Sequence, residues 1–274
     1  MTAPRPVYII AHNPNTSEEV DHVLALGVNG LEPDIHYNAQ TRDLCISHDL
    51  PGEGDDPPSV PAYLKHVKSK LSEYPALAMI LFDIKLEDAF YNEVPIADWG
   101  MRLHGMVNEI LGDEDLTIIY SVSKLNQCGV FKDLGHALKS KEALMIDQES
   151  DVEDVMEAFQ PYMSRGMNNI CYADGRYAYL PDFGIAGNIR KAIERRVLTG
   201  QPRFISSWVL YLENTIRDYF IMGVDGMIVT NDRIQTAREV VSSEAFAGKI
   251  RLAQRSDNPF SGDIYHGAGR SMPA

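Results

Sequence analysis

The side chains of this sequence that could do chemistry are histidines and carboxylates placed at the ends of apolar runs. His12 and two asparagines, in "AHNPN", follow the run Val7–Ala11. "LEPDI" carries Glu32 and Asp34, and "SHDLPG" carries His48 in the segment beyond it. "LFDIK" repeats the spacing with Asp83 and Lys85. Residues two apart in an extended strand share a face, so each of these two pairs is expected on one side of its strand. Other apolar runs end in Asp147, Asp174, Trp208 and Asn231. Three carboxylates that converge without matching basic partners repel one another, and a hard divalent cation with oxygen ligands resolves this. Glu32, Asp34 and Asp83 are therefore expected to hold Mg2+ or Ca2+. His12 and His48, from neighbouring loops, are expected to be the catalytic pair. One attacks phosphorus or removes a proton, and the other protonates a leaving alcohol. Lys85 is expected to neutralise charge on phosphoryl oxygens together with the metal. The set suits cleavage of a phosphodiester.

The elements that must position these residues alternate along the chain. Strand-like runs lie at Val7–Ala11, Gly30–Ile35, Met79–Ile84, Leu116–Ser121, Ala143–Asp147, Asn169–Ala173, Phe204–Val209 and Gly226–Thr230. Helix-like stretches lie between and after them, at Ser17–Leu26, Val60–Leu71, Ile96–Leu111, Lys124–Lys132, Val152–Ser164, Phe183–Leu198, Leu212–Met222 and Arg233–Ser243. Strand–helix alternation implies parallel strands joined by crossovers. Eight repeats in this length match a (β/α)8 barrel, with a doubly wound sheet as the runner-up. In such a barrel the active site lies where strands end and βα loops begin, which is where the polar residues gather. "TRDLCISHD" is expected to form a small hairpin ahead of the long Gly/Pro-rich loop. The polar stretch after Phe246 reads as a tail packed on the barrel's outside. The whole of residues 1–274 is expected to be a single domain.

Composition excludes other classes. The net charge of −14 argues against nucleic acid, whose phosphates need a basic surface. No apolar stretch is long enough to span a bilayer. The start, Met1–Pro6, has no signal-peptide apolar region. That fits either a cytoplasmic protein or a mature secreted chain, and the secreted form is the expectation. Cys45, Cys128 and Cys171 are odd in number and far apart, without a CxxC pair, so a thiolate zinc site is not expected.

The motifs resemble the glycerophosphodiester phosphodiesterase superfamily, and within it the sphingomyelinase D-like phospholipase D branch of spider venoms, bacteria and fungi. The simple glycerophosphodiesterases carry His-Arg where this chain has His12-Asn13. The likeness to the phospholipase D branch runs through "AHNPN", "GVNGLEPDI", "SHDLPG", "LFDIK", "ADG", "SSWVL", "GVDGMIVTN" and "RLAQRSDNPF". The last is similar to the branch's A-T-x-x-D-N-P-W motif, with Gln254 and Phe260 in place of Thr and Trp, and the motif is thought to plug the barrel's base. The resemblance implies His12 and His48 as the catalytic pair, Glu32, Asp34 and Asp83 as metal ligands, and Lys85, Trp208 and Asn231 lining the site. The venom enzymes' cysteine-rich loop is replaced by "LPGEGDDPPSV", so its disulfide is absent. Tyr211 stands where an acidic residue is expected, and Ser206 where a tyrosine is common. These changes surround the head-group pocket, and actinobacterial lysoplasmalogen-specific phospholipases D are the nearest branch members suggested.

The reading is a metal-dependent phospholipase D that hydrolyses or cyclises choline or ethanolamine lysolipids at a micelle or membrane surface, acting as a monomer. Trp208, Tyr172 and Tyr211 could face the amine by cation–π attraction, and Phe90, Trp99 and Met101 could line a path for the apolar chain. The alternatives are a glycerophosphodiesterase, a sphingomyelinase D, and a lipid-binding module on a retired barrel.

Overall fold

The computed structural model describes residues 3–86, 96–148, 151–164, 166–176, 184–209 and 211–261. Eleven strands form one sheet: β1 Arg5–His12, β2 Gly30–Glu32, β3 Asp34–Asn38, β4 Asp43–Ile46, β5 Met79–Ile84, β6 Thr117–Val122, β7 Glu142–Ile146, β8 Ile170–Gly175, β9 Phe204–Trp208, β10 Gly226–Val229 and β11 Ile250–Leu252. The parallel order β1-β10-β9-β8-β7-β6-β5 closes through β2 and β3, so the sheet is a (β/α)8 barrel. The second stave is split at Pro33. A proline has no N–H for the ladder, and its carbonyl still accepts from the Asp83 N–H at 3.1 Å. Among the described residues seven α-helices follow the strands: α1 Ser17–Ala25, α2 Val60–Lys70, α3 Ile96–Leu111, α4 Val152–Met163, α5 Ile185–Thr199, α6 Glu213–Met222 and α7 Ile234–Ser242.

Strand alternation divides the core in two. Val7, Ile9 and Ala11 join the layer between strands and helices, whereas Tyr8 and Ile10 join the barrel interior with Met79, Leu81, Ile119, Ala143, Met145, Cys171, Ala173, Phe204 and Ile228. The interior is thus filled by apolar side chains below, and the next inward positions of the same strands are the polar ones. This is how ordinary strand periodicity raises His12, Glu32 and Asp83 to a shared rim.

Three expectations about elements change. The stretch Lys124–Lys132 forms a tighter 3₁₀ segment, Leu125–Phe131, instead of an α-helix, with a second 3₁₀ turn just beyond it at Leu134–His136. The segment is short and contains Gly129, which weakens an α-helix, and 3₁₀ geometry suits short pieces. "DLCI" pairs antiparallel with β3, from Ile35↔Ile46 to Asn38↔Asp43, so the hairpin uses the end of the second stave as its partner. The tail does not lie on the outside as far as Phe260. β11 extends the lower half of β1, Arg5↔Ile250, and Ala253 and Phe260 are buried among the interior side chains. The plug implied by the resemblance is what the structure has. Asp257 holds it through a two-point pair with Arg251 at 2.6 and 2.7 Å, and Arg255 donates to the carbonyls of Leu77 at 2.8 Å and Tyr74 at 3.1 Å. Among the described residues no disulfide forms, and Cys45 and Cys171 are buried.

Candidate active site

The site assembles at the carboxyl ends of the strands. His12 and Glu32 are register partners, as are Asp34 and Asp83, and Asp83 and Ser121. One ligand oxygen each from Glu32, Asp34 and Asp83 lies within 4.8 Å of the others, and all three residues are buried. The Lys85 ammonium enters this group, 3.0 Å from Asp34 Oδ1 and in contact with Asp83 Oδ2. Burial opposes its charge, but Asp83 and Asp34 outweigh that and hold its pKa above the usual lysine value.

The "AHNPN" segment explains itself here. Asn13 takes the left-handed conformation, φ +54, which asparagine tolerates better than most residues. In that bend its N–H donates to Glu32 Oε2 at 3.0 Å. With its amide nitrogen turned inward, the Asn13 side chain reaches His12 Nε2 at 3.0 Å and Asp34 Oδ2 at 3.1 Å. Asn15 then accepts from the Asp34 N–H at 2.9 Å and donates to Asp34 Oδ2 at 2.7 Å. The two asparagines brace the carboxylates and the histidine, a role not assigned to them from sequence although the motif displayed them.

One lysine against three carboxylates leaves the cluster short of positive charge. Burial first, then Asp34 and Asp83, push Glu32 well above the usual carboxylate range, and Asp34 is raised chiefly by burial against the opposing effect of Lys85. Asp83 Oδ1 is buried with no hydrogen-bond partner. Three oxygen donors, short of positive charge and with a buried lone pair unused, fit a hard divalent cation. A neutral substitute should relieve the same strain. A group whose native pKa is raised stabilises the fold below its unfolded pKa, and that contribution is lost as pH rises through the native value. Metal-free Glu32→Gln should therefore melt above metal-free wild type at pH 7, by on the order of a few degrees, and the gap should shrink in acid. Added Mg2+ or Ca2+ should raise the melting temperature of wild type only. A variant that melts below the metal-free wild type at pH 7 would contradict this account.

His12 is partly buried; burial, then Lys85 and His48, push its pKa down to about 4, so the ring is neutral at pH 7. His48 sits on the loop after β4 with its side chain 52% exposed, its Nδ1 2.9 Å from Asp49 Oδ1. The structure also brings in two residues that were not assigned to the site. Asp147, at the end of β7, accepts from Ser121 Oγ at 3.2 Å, keeps Oδ1 buried without a partner, and is raised by burial and then by Asp83. His36, two residues beyond Asp34, is buried, and its pKa is pushed down to about 4 by burial and then Lys85. Its signal in the sequence was its spacing in "DIH", which continues the inward face of Asp34.

Other expected residues fall elsewhere. Trp208 is at the rim of β9, where its Nε1 donates to the Asp147 carbonyl at 2.6 Å. Gly175 makes room for it, since a Cβ there would lie 1.7 Å from the Trp208 carbonyl oxygen. Asn231 is at the top of β10 in a 3₁₀ turn and exposed. Ser206 points into the barrel below Trp208, 3.7 Å from Met145 Sδ. Asp174 faces α5 rather than the lumen and accepts from Asn188 Nδ2 at 2.8 Å, because it is out of phase with Cys171 and Ala173. Tyr172 is out of phase in the same way and is buried between strands and helices. The Tyr211 ring is met by the Arg233 guanidinium, 6.0 Å from its centroid, so its cation comes from the chain itself. Trp99 is buried and stacks on Tyr37 at 5.3 Å; it packs α3 against the hairpin and does not line a path for an apolar chain. Met101 is exposed on α3, and Phe90 lies outside the described residues.

Comparison with known proteins adds a lineage. A family model described as Dermonecrotic toxin SPH matches residues 2–260. A dermonecrotic toxin of Loxosceles spinulosa is 26% identical over 92% of this chain and 98% of its own. One from Loxosceles gaucho is 25% identical over 93% and 97%. The crystal structure of a glycerophosphodiester phosphodiesterase from Parabacteroides distasonis superposes with a TM-score of 0.62 over 88% of this chain and 99% of that one, at 15% identity. That last likeness bears on the fold alone.

Proposed function

The chain belongs to the dermonecrotic toxin SPH family, and from that premise we propose that it is a metal-dependent phospholipase D acting on choline or ethanolamine lysolipids, lysoplasmalogens among them. The observation that carries this reading is the gathering of Glu32, Asp34, Asp83, Lys85 and His12 at one rim of the barrel, with His48 on the adjoining loop. Glu32, Asp34 and Asp83 would hold a divalent cation, Mg2+ or Ca2+, whose chemistry there is neutralisation of phosphoryl charge. Lys85 places a second positive charge beside the same oxygens. His12, neutral and held by Asn13, is suited to take a proton or to attack phosphorus, and His48 to protonate the departing alcohol. With water as the acceptor the product is a phosphate monoester. With a hydroxyl of the substrate it is a cyclic phosphate: the bond from that oxygen to phosphorus forms as the bond to the head group breaks.

The reading of head group and chain is supported by what surrounds this centre. Trp208 and the unpartnered Asp147 oxygen offer an aromatic face and a carboxylate to an amine. Leu50, two residues after His48, and Leu212, at the entry to α6, are exposed on the same end of the barrel, at 42% and 62%. Apolar side chains left in water beside a polar mouth support a lipid rather than a water-soluble substrate. The dermonecrotic toxins among the relatives support a site of action outside the cell.

The test is catalytic efficiency on a lyso-choline lipid against glycerophosphocholine. Each buried methylene adds about 0.8 kcal/mol, so the lysolipid should be preferred by orders of magnitude. Trp208→Ala should raise KM more than it lowers kcat, because a cation–π contact exists before the bond breaks. Equal efficiency on the two substrates, or preference for the soluble one, would favour the glycerophosphodiesterase alternative.

A further inference from the structure

A cavity of about 150 Å3 opens at the end of the barrel opposite the rim, between the last turn of α3 and the starts of β6 and β7. Val107, Leu111, Leu116 and Ile118 form its apolar wall, and the exposed residues Asp115 and Lys139 stand at its mouth. Its inner end is polar. Glu142, the first residue of β7, shares a face with Leu144 and Ile146, so it turns toward α3 and away from the lumen. The residue is 4% exposed. Its Oε2 accepts from the Lys139 N–H at 2.8 Å and meets His104 Nε2 at 3.1 Å. Among the described residues no hydrogen bond reaches Oε1. Asn108 turns its amide nitrogen to the His104 ring and keeps Oδ1 buried with no partner. Leaving a buried polar atom unpaired is costly. Two such acceptors on one small cavity call for a ligand that brings donors.

The surroundings select the head of that ligand. Helix α3 ends beside the cavity with no basic residue in its last turn, and the end of a helix carries partial negative charge. At the mouth, Lys141 is held by Asp115 at 2.5 Å and Lys68 stands 3.8 Å from Glu114. The charge left at the inner end is that of Glu142. A primary ammonium has three donors and no acceptor. A hydroxyl brings a single donor and lone pairs of its own, and a quaternary ammonium brings no donor at all. The wall selects the tail. Four apolar side chains match a short alkyl chain, and a cavity of about 150 Å3 takes a ligand of about six heavy atoms.

We propose that this cavity is a binding site for a small primary alkylamine, separate from the catalytic rim, with Glu142 as the counter-charge of its ammonium. The full-length protein is titrated with n-pentylammonium by calorimetry, and its amide NMR shifts are mapped. Wild type should bind with a Kd of about 1 mM or tighter, within the reach of so small a ligand. The shifts should gather on the last turn of α3 and the starts of β6 and β7. Pentanol, pentanoate and pentyltrimethylammonium should each bind about tenfold more weakly or worse. Glu142→Gln should weaken binding of the primary amine by about tenfold or more, the scale of a hydrogen bond to a charged group. Val107→Phe, which fills the cavity, should abolish it. Asp147→Asn, at the rim, should leave it unchanged. Equal affinity for the alcohol or the quaternary amine, shifts confined to the rim, or loss of binding in Asp147→Asn would overturn the assignment. Should a cavity variant not fold, the wild-type shift map and the ligand series decide by themselves.

Discussion

Chelation with EDTA should abolish head-group release, and Mg2+ or Ca2+ should restore it. That result is expected because the cluster holds its carboxylates closer together than its own positive charge supports. The oxygens of Glu32, Asp34 and Asp83 lie within 4.8 Å of one another, Asp147 adds a fourth carboxyl group whose pKa Asp83 and Asp34 both raise, and Lys85 supplies one ammonium. Like charges at such separations cannot all ionise without a counter-ion. A cation held by these three residues would let them ionise and would supply positive charge for a phosphoryl group. The same chelation should lower the melting temperature, since a ligand bound only by the folded state stabilises it by about 2.7 kcal/mol at a hundred times its Kd. Full turnover in protein shown by elemental analysis to be free of metal would remove the cation from the reaction.

His12→Ala and His48→Ala should each lower kcat by about 10²-fold or more, the usual scale for an acid or base in the transition state. The two variants should differ in everything else. His48 is half exposed and pairs with an Asp49 side chain that is 93% exposed, so its loss should leave the melting temperature unchanged. His12 lies at the end of β1 against Asn13, and its removal should disturb the carboxylate brace and weaken the metal-induced melting shift. If the two imidazoles act on one bond-breaking step, the double variant should cost little more than the worse single one. Near-normal turnover in either single variant would end the paired-histidine mechanism, and strictly multiplicative losses would separate their roles.

The reach of the sequence differed between the lower and upper parts of the barrel. The staves were legible because each strand is a short β-rich run bounded by a helix of different period, and that contrast is local. Glu32 with Asp34, and Asp83 with Lys85, could be placed on shared faces because strand periodicity needs no tertiary contact to act. The hairpin was legible in "TRDLCISHD", but its partner strand was not, since pairing depends on where the second stave goes after Pro33. Lys124–Lys132 reads as an α-helix from its sequence because amphipathic spacing alone does not separate α from 3₁₀ in a short piece that contains a glycine.

The repeat of strands and helices, and the polar groups at the strand ends, are written in residue type and spacing, which are local. Which strand-end residues turn inward is set by closure of the barrel. Asp147 and Asp174 look alike in sequence, yet the phase of each strand sends one to the lumen and the other to a helix. Tyr172 and Trp99, attractive as ligand contacts, are consumed by packing between layers. The physical reason is that a side chain's role depends on its facing, and the facing of a residue at the end of a strand is fixed by the register and closure of the whole barrel, which no local stretch contains.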